Sequence, residues 1–151
     1  MDPIAPDFDT RVKLAIYRHF ADTARRPEVS EIARAVESSP ADVSAAYGRL
    51  FKSRVLVLEP DGTSIRMAPP FSGVPTQHRV VAGDREYFAN CAWDALGILA
   101  ALHAPGVVHS RCGQSDEAVA FDVPADGPLP TEWVFHCAVP AAQWWNDIVF
   151  T

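Results

Sequence analysis

The sequence predicts an α+β fold built from two small subdomains. Apolar residues recur at helical spacing through the first fifty residues, a strand–turn–strand pattern follows, and the rest of the chain holds short apolar runs separated by glycine and proline. A chain of 151 residues is long enough for one compact domain or for two subdomains that share an interface. We predict a winged-helix-like three-helix subdomain at residues 1–70. It is expected to pack on a second subdomain of short mixed or antiparallel strands and helices at residues 71–151.

Three helices and a hairpin are predicted in the first subdomain. The helices cover residues 11–24, 30–36 and about 40–52. Asp9 or Thr10 can cap the first helix, and the third has the clearest start signal, Ser39 as N-cap followed by proline at the first helical position. Two strands joined by a turn that contains proline and glycine follow, at residues 55–58 and 63–67.

This element order is that of a winged-helix domain, a class that commonly binds DNA. Residues 1–66, however, carry ten basic and ten acidic side chains, whereas a DNA-binding surface is normally basic. Residues 67–151 carry three basic and nine acidic side chains, which accounts for the net charge of −6. An acidic surface repels nucleic acid and is compatible with a cationic or metal-bearing ligand. The charge therefore favours a scaffolding role for the first subdomain and no nucleic-acid partner.

The second subdomain is predicted to follow a stiff linker. Prolines and a glycine between residues 68 and 75 place the subdomain boundary near residue 70. A hairpin around Gly83-Asp84 then leads into a helix over 92–102, for which Asn90 is a good N-cap. The remaining predicted elements are strands at residues 107–110, 118–123 and 133–139, and a final helix at 140–147 with Trp144 and Trp145 against the core.

The start of the 92–102 helix holds the residues with the clearest chemistry, Cys91 and Asp94. Unpaired backbone N–H groups and the macrodipole favour an anion at a helix N-terminus, so the pKa of the Cys91 thiol is expected to be lowered. Asp94 lies on the same helical face, where its carboxyl group could carry a proton. In the alternative interpretation, which spacing alone favours, Cys91 is a small buried hydrophobe and Asp94 a partner of the helix dipole.

Two segments around this pair carry a resemblance. They are Phe71-Ser72-Gly73-Val74-Pro75-Thr76 and Tyr87-Phe88-Ala89-Asn90-Cys91-Ala92-Trp93-Asp94. Both resemble the core of the organomercurial (alkylmercury) lyase family, and the similarity extends weakly through the N-terminal helices and on to Val139-Pro140. The resemblance implies that Cys91 binds mercury and that Asp94 protonates the departing carbon. For that role the pKa of Asp94 should be raised by burial beside Trp93 and Phe88.

The resemblance also bears on the other two cysteines. The family mechanism uses two thiolates, and the family's second cysteine would fall near Pro130 here, so it is missing from its usual place. Cys137 lies two residues before Val139 and could substitute as a second mercury ligand; the alternative is a buried strand cysteine. Cys112 corresponds to a family cysteine with a structural role, and we predict the same role here.

Composition and motifs bear on the cellular compartment of the protein and on the cofactors that it could use. Three cysteines without a CxxC pair form neither a disulfide framework nor a zinc site, so reduced thiols are expected. No apolar stretch approaches the roughly 20 residues that span a bilayer, and the acidic N-terminus does not resemble a signal peptide, which predicts a cytoplasmic protein. Phosphate-binding loops and the GxSxG motif are missing. We predict no organic cofactor, with mercury as substrate and product and an external thiol as its carrier.

The sequence ends on the apolar run Trp144–Thr151 rather than on polar residues. One hypothesis is that the natural product is longer. A second thiol, or a selenol encoded by a UGA codon, would then lie beyond Thr151.

Three functions are consistent with these residues. The favoured one is protonolytic cleavage of a carbon–mercury bond by an organomercurial lyase-like enzyme. The second is a non-catalytic thiol protein that binds mercury or another soft metal. The third is a winged-helix regulator whose second half senses a ligand. The organic group that is accepted and the oligomeric state stay open.

Overall fold

A computed structural model describes residues 6–149. The helices of this range are α1 (Phe8–Thr23), α2 (Val29–Ala35), α3 (Pro40–Lys52), α4 (Ala92–Leu102) and a 3₁₀ helix (Ala141–Asn146). The strands are β1 (Val57–Leu58), β2 (Ile65–Ala68), β3 (Phe71–Ser72), β4 (Arg79–Ala82), β5 (Arg85–Phe88), β6 (Gly106–Arg111) and β7 (Ala118–Val123). The α+β class is therefore confirmed. In the described range no helix is both long and apolar enough to cross a membrane.

Side-chain caps set where the first and third helices begin. Asp7 has an extended backbone and accepts the backbone N–H of Thr10 at 2.8 Å, so α1 begins at Phe8. The prediction that Asp9 or Thr10 caps this helix is wrong, because both lie inside its first turn. Ser39 accepts the backbone N–H of Asp42 at 3.1 Å and starts α3 as predicted.

The first three helices bury one apolar face each around the side chain of Tyr47, which is fully buried. Strands β1, β2 and β3 form a small antiparallel sheet in that order beside them. Strand β3 lies inside the predicted linker, which is thus part of a sheet rather than a free connection. Its Phe71 ring stacks on Phe20 of α1 with centroids 5.3 Å apart. Three helices and a hairpin occur in the predicted order; the winged-helix assignment itself stays a prediction.

The second sheet is antiparallel throughout, with strand order β5-β4-β6-β7. The predicted hairpin is confirmed: Gly83, with φ of 61°, occupies the turn between β4 and β5. Val80 and Val108 from the two central strands are buried, and α4 packs across these strands. The sheet and α4 therefore share one face, and β5 leads directly to the start of α4.

The chain after β7 departs most from the prediction. Residues 133–139 form no strand, and Val134 is 87% exposed. A segment with alternating apolar residues forms a strand only when another strand pairs with it. Within the described residues β7 is an edge strand that pairs only with β6, so residues 133–139 have no partner strand. The predicted helix at 140–147 is a 3₁₀ helix without a buried residue, in which Trp144 and Trp145 are only half-buried. Residues 150 and 151, the end of the predicted apolar run, lie outside the described residues.

Candidate functional site

Hydrogen bonds from two directions fix the backbone that enters α4. Ala89 follows β5 and forms an antiparallel bridge with Phe71 of β3. Its carbonyl oxygen accepts the Thr76 hydroxyl at 2.6 Å, and its N–H donates to the carbonyl oxygen of His78 at 2.9 Å. Ala89 is thus held between the two sheets, because Phe71 belongs to the first sheet and His78 directly precedes β4 of the second.

Cys91, and not Asn90, is the N-cap of α4. Its backbone is extended, with φ of −150° and ψ of 177°, and its Sγ accepts the backbone N–H of Asp94 at 3.4 Å. Asn90 does not cap, because its side-chain amide is occupied elsewhere, by the carbonyl oxygens of Pro70 and Phe71 and by the carboxylate of Asp94. The sulfur therefore sits where a serine or asparagine oxygen is usual.

The pKa of Cys91 is raised and not lowered, so the predicted direction of its shift is wrong. Burial is the largest influence and raises the pKa of the thiol, and the negative charge of Asp94 acts in the same direction. The backbone N–H groups of Asp94 and Trp93 lower it, as the helix N-terminus suggests, but they do not outweigh the loss of solvent. Cys91 is therefore protonated at neutral pH in the absence of a ligand.

Asp94 is half-buried on the first turn of α4, and burial raises its pKa, which confirms the predicted direction. The hydrogen bond from Asn90, 2.9 Å long, opposes this rise because it favours the charged carboxylate. Trp93, predicted as one of the residues that shield Asp94, is itself 57% exposed. Burial raises the pKa of Tyr17 on α1, and the negative charge of Asp94 acts in the same direction.

Cys137 approaches the same site from the C-terminal segment. The residue is exposed and belongs to no strand, so the interpretation as a buried strand cysteine is wrong. Its thiol is close enough to Cys91 to contribute to the raised pKa of that residue. Two residues earlier, the ring of Phe135 contacts Trp93 with centroids 5.7 Å apart. The C-terminal segment thus passes over the start of α4.

Cys112 lies in a different setting, in the exposed turn between β6 and β7. Hydrogen bonds from the Ser115 hydroxyl and from the backbone N–H groups of Ser115 and Gln114 lower its pKa. Among residues 6–149, no three histidine, cysteine or acidic side chains are grouped so that they could hold a metal ion. The described site is therefore a pair of thiols and a carboxyl group rather than a preformed metal cage.

Asn90 is the site residue whose contacts the sequence does not predict. The available signal is its position, because Asn90 comes just before the predicted helix and four residues before Asp94. What this position does not reveal is the approach of the backbone at Pro70 and Phe71, which lie about twenty residues earlier in the chain.

Comparisons with known proteins place this geometry in context. The family model of alkylmercury lyase (MerB) matches residues 71–151, just over half of the chain. A solved structure described as the crystal structure of the mercury-bound form of MerB2 is similar to the chain, with a TM-score of 0.68 and 24% sequence identity. The similarity covers 85% of this chain and 62% of that one, so the chain spans less than two thirds of that protein's length. A search of curated proteins finds no significant match.

Proposed function

Because the chain belongs to the alkylmercury lyase family, we propose that it cleaves carbon–mercury bonds by protonolysis. Cys91 is the thiol that binds mercury, and Asp94 is the acid that protonates the departing carbon. The observation that carries the proposal is the shared first turn of α4, where a capping thiol lies beside a half-buried carboxyl group with a raised pKa. A carboxyl group is a useful proton donor near neutral pH only when its pKa is raised in this way.

The raised pKa of Cys91 is compatible with mercury binding. Thiolate is the soft ligand that a soft metal prefers, and coordination displaces the thiol proton. Asp94 lies next to the sulfur that loses this proton, since its backbone N–H donates to Cys91 Sγ. Cys137 is the proposed second thiol, because it is the cysteine that interacts electrostatically with Cys91.

Two thiols balance the reaction in atoms and charge. For a substrate R–Hg–SR′, Cys91 and Cys137 each give up a proton as they bind mercury. One proton passes through the carboxyl group of Asp94 to carbon as the Hg–C bond breaks, which yields R–H. The other leaves with the thiol R′SH, and mercury, still divalent, stays bound by two sulfurs until an external thiol removes it.

Benzene release from phenylmercury in excess small thiol tests the proposal. Cys91→Ser and Asp94→Ala should each lower the rate by roughly 10²–10⁴-fold, the usual contribution of a general acid, and a comparable loss is expected for the nucleophile. Cys112→Ser is the matched control, because this exposed cysteine lies in the β6–β7 turn and should release benzene normally. A folded wild-type protein that binds one mercury without releasing benzene would instead be a mercury-binding protein.

The proposed role of Cys137 as the second mercury ligand is tested with a separate variant. If Cys137 supplies the second sulfur, Cys137→Ser should slow benzene release and should lose bound mercury more readily to a competing small thiol. If release in excess thiol is unchanged in Cys137→Ser, the external thiol is the second sulfur ligand, and Cys91 with Asp94 suffices.

A further inference from the structure

The side-chain amide of Asn90 joins the candidate acid to the backbone of the first sheet. Its Nδ2 lies 2.9 Å from Oδ2 of Asp94. The same nitrogen lies 3.3 Å from the carbonyl oxygens of Pro70 and Phe71. Three acceptors thus surround one NH₂ group.

The two carbonyl groups decide how the amide is oriented. A backbone carbonyl oxygen can only accept, so the NH₂ group of Asn90, and not its oxygen, must face Pro70 and Phe71. One of the two amide hydrogens serves these carbonyls, and the other is left for Asp94. The amide oxygen Oδ1 is buried and has no hydrogen-bond partner among the described residues, which shows that the amide is oriented by what surrounds its nitrogen.

This orientation has a consequence for Asp94. An N–H group donates and cannot accept, so Oδ2 of Asp94 must be the acceptor in this hydrogen bond whether or not the carboxyl group is protonated. We infer that Asn90 reserves Oδ2 in this way and so leaves Oδ1 of Asp94 as the oxygen that carries the transferable proton. Asn90 touches none of the reacting atoms and is a positioning residue. The inference rests on the proposed function, because it concerns the acid of that reaction.

Helix α1 supports the backbone that orients Asn90. The Tyr17 hydroxyl donates to the carbonyl oxygen of Pro69 at 3.0 Å, and the Tyr17 ring meets Phe71 edge-on with centroids 6.4 Å apart. Contacts therefore run without interruption from α1 through Pro69–Phe71 to Asn90 and on to Asp94. The first subdomain thereby takes part in positioning the acid, although the family match begins only at residue 71.

The test uses Asn90→Leu, which removes the donor at similar volume, and Asn90→Ser, a smaller polar side chain that does not reach Asp94. Asn146→Leu, at the exposed asparagine of the 3₁₀ helix, is the matched control. The pKa of Asp94 is measured by carboxyl-carbon NMR in the substrate-free protein, and kcat and KM for benzene release are measured against pH. In both Asn90 variants the pKa should rise, since a hydrogen bond to the charged form is lost. The kcat should fall about 10–100-fold with KM nearly unchanged, because a misplaced proton donor affects the chemical step.

Two results would overturn the inference. One is an unchanged pKa of Asp94 in folded Asn90 variants, which would mean that the hydrogen bond does not hold the carboxyl group. The other is a shifted pKa with unchanged kcat, which would mean that the orientation of the proton does not matter. A wild-type protein that releases no benzene would refute the proposed function instead, and the NMR titration would still decide whether Asn90 controls Asp94.

Discussion

The two candidate mercury-binding thiols belong to regions that are built in opposite ways. Residues 8–123 contain every buried side chain of the described chain, and residues 124–149 contain none. Cys91 and Asp94 lie in the first region, on a helix that packs on the second sheet. Cys137 lies in the second region, on irregular backbone three residues after Val134, whose side chain is 87% exposed.

This difference matches what each step of the proposed reaction requires. Proton transfer needs a carboxyl group that is held to within about 0.5 Å of its productive position, which a packed core and the hydrogen bonds of Asn90 can provide. Mercury must be captured from a carrier and later released to one, and a thiol on a loosely packed segment can move with the metal. In the proposed reaction, the proton donor therefore lies in the packed region, and the second thiol lies in the exposed one.

The largest effect is expected from a substitution in the packed region. Phe20 is 1% exposed and stacks on Phe71 at an interplanar angle of 9°, so Phe20→Ala leaves a cavity between α1 and β3. It should lower the free energy of unfolding by about 3–5 kcal/mol in a urea titration followed by circular dichroism. Leu14→Ala, 39% exposed on the same helix, is the control and should cost less than about 1 kcal/mol. Equal losses would contradict the packing of α1 against β3.

A smaller effect, of opposite sign, is expected at the acid itself. Burial raises the pKa of Asp94 above 3.8, so the folded protein binds this proton more tightly than the unfolded chain does. The contribution of Asp94 to the stability of the wild type should therefore fall as the pH rises from about 3.8 through the folded-state pKa, and stay lower above it. Asp94→Asn keeps an acceptor for Asn90 and avoids the buried charge. Its melting temperature should exceed that of the wild type by a few degrees at neutral pH and lose this pH dependence.

The control for this experiment is Asp126→Asn, in the exposed segment after β7. This variant should follow the wild type at each pH. If Asp94→Asn melts below the wild type throughout the range, the carboxylate stabilises the fold, which contradicts the view that burial disfavours the charged form of Asp94.

The smallest effect is expected in the C-terminal segment. Val134→Ala should change the free energy of unfolding by no more than about 0.5 kcal/mol, because this side chain is 87% exposed. Val108→Ala makes the same chemical change at a side chain that is 1% exposed, and should cost about 2 kcal/mol. Similar losses for the two valines would show that residues 124–149 are packed in solution, and the contrast between the regions would disappear.

Elements with local signals can be predicted from the sequence. Ser39 before proline marks the start of α3, and a run of helix formers bounded by His103 gives α4 its observed limits of Ala92 and Leu102. Strand β7 and the hairpin of β4 and β5 are likewise observed at their predicted residues. In each case the information lies within a few residues of the element itself.

What could not be predicted depends on distant neighbours. The alternation over 133–139 describes a strand only if another strand pairs with it, and within residues 6–149 none does. The pKa of Cys91 follows from burial, which outweighs the helix N-terminus and is a property of the folded chain. The local sequence favours Asn90 as a cap, whereas its engagement by Pro70 and Phe71 joins residues about twenty positions apart.

The hydrogen bond that caps α4 through the sulfur of Cys91 also makes the backbone amide of Asp94 a reporter of what is bound to that sulfur. The backbone N–H of Asp94 points at Cys91 Sγ, so any atom that binds this sulfur withdraws the electron density to which the amide donates. The amide of the acid therefore senses directly what is bound to the thiol. A single cross-peak in a ¹⁵N spectrum, that of Asp94, is enough to follow loading and release of the site, with no label on the substrate and no need for turnover.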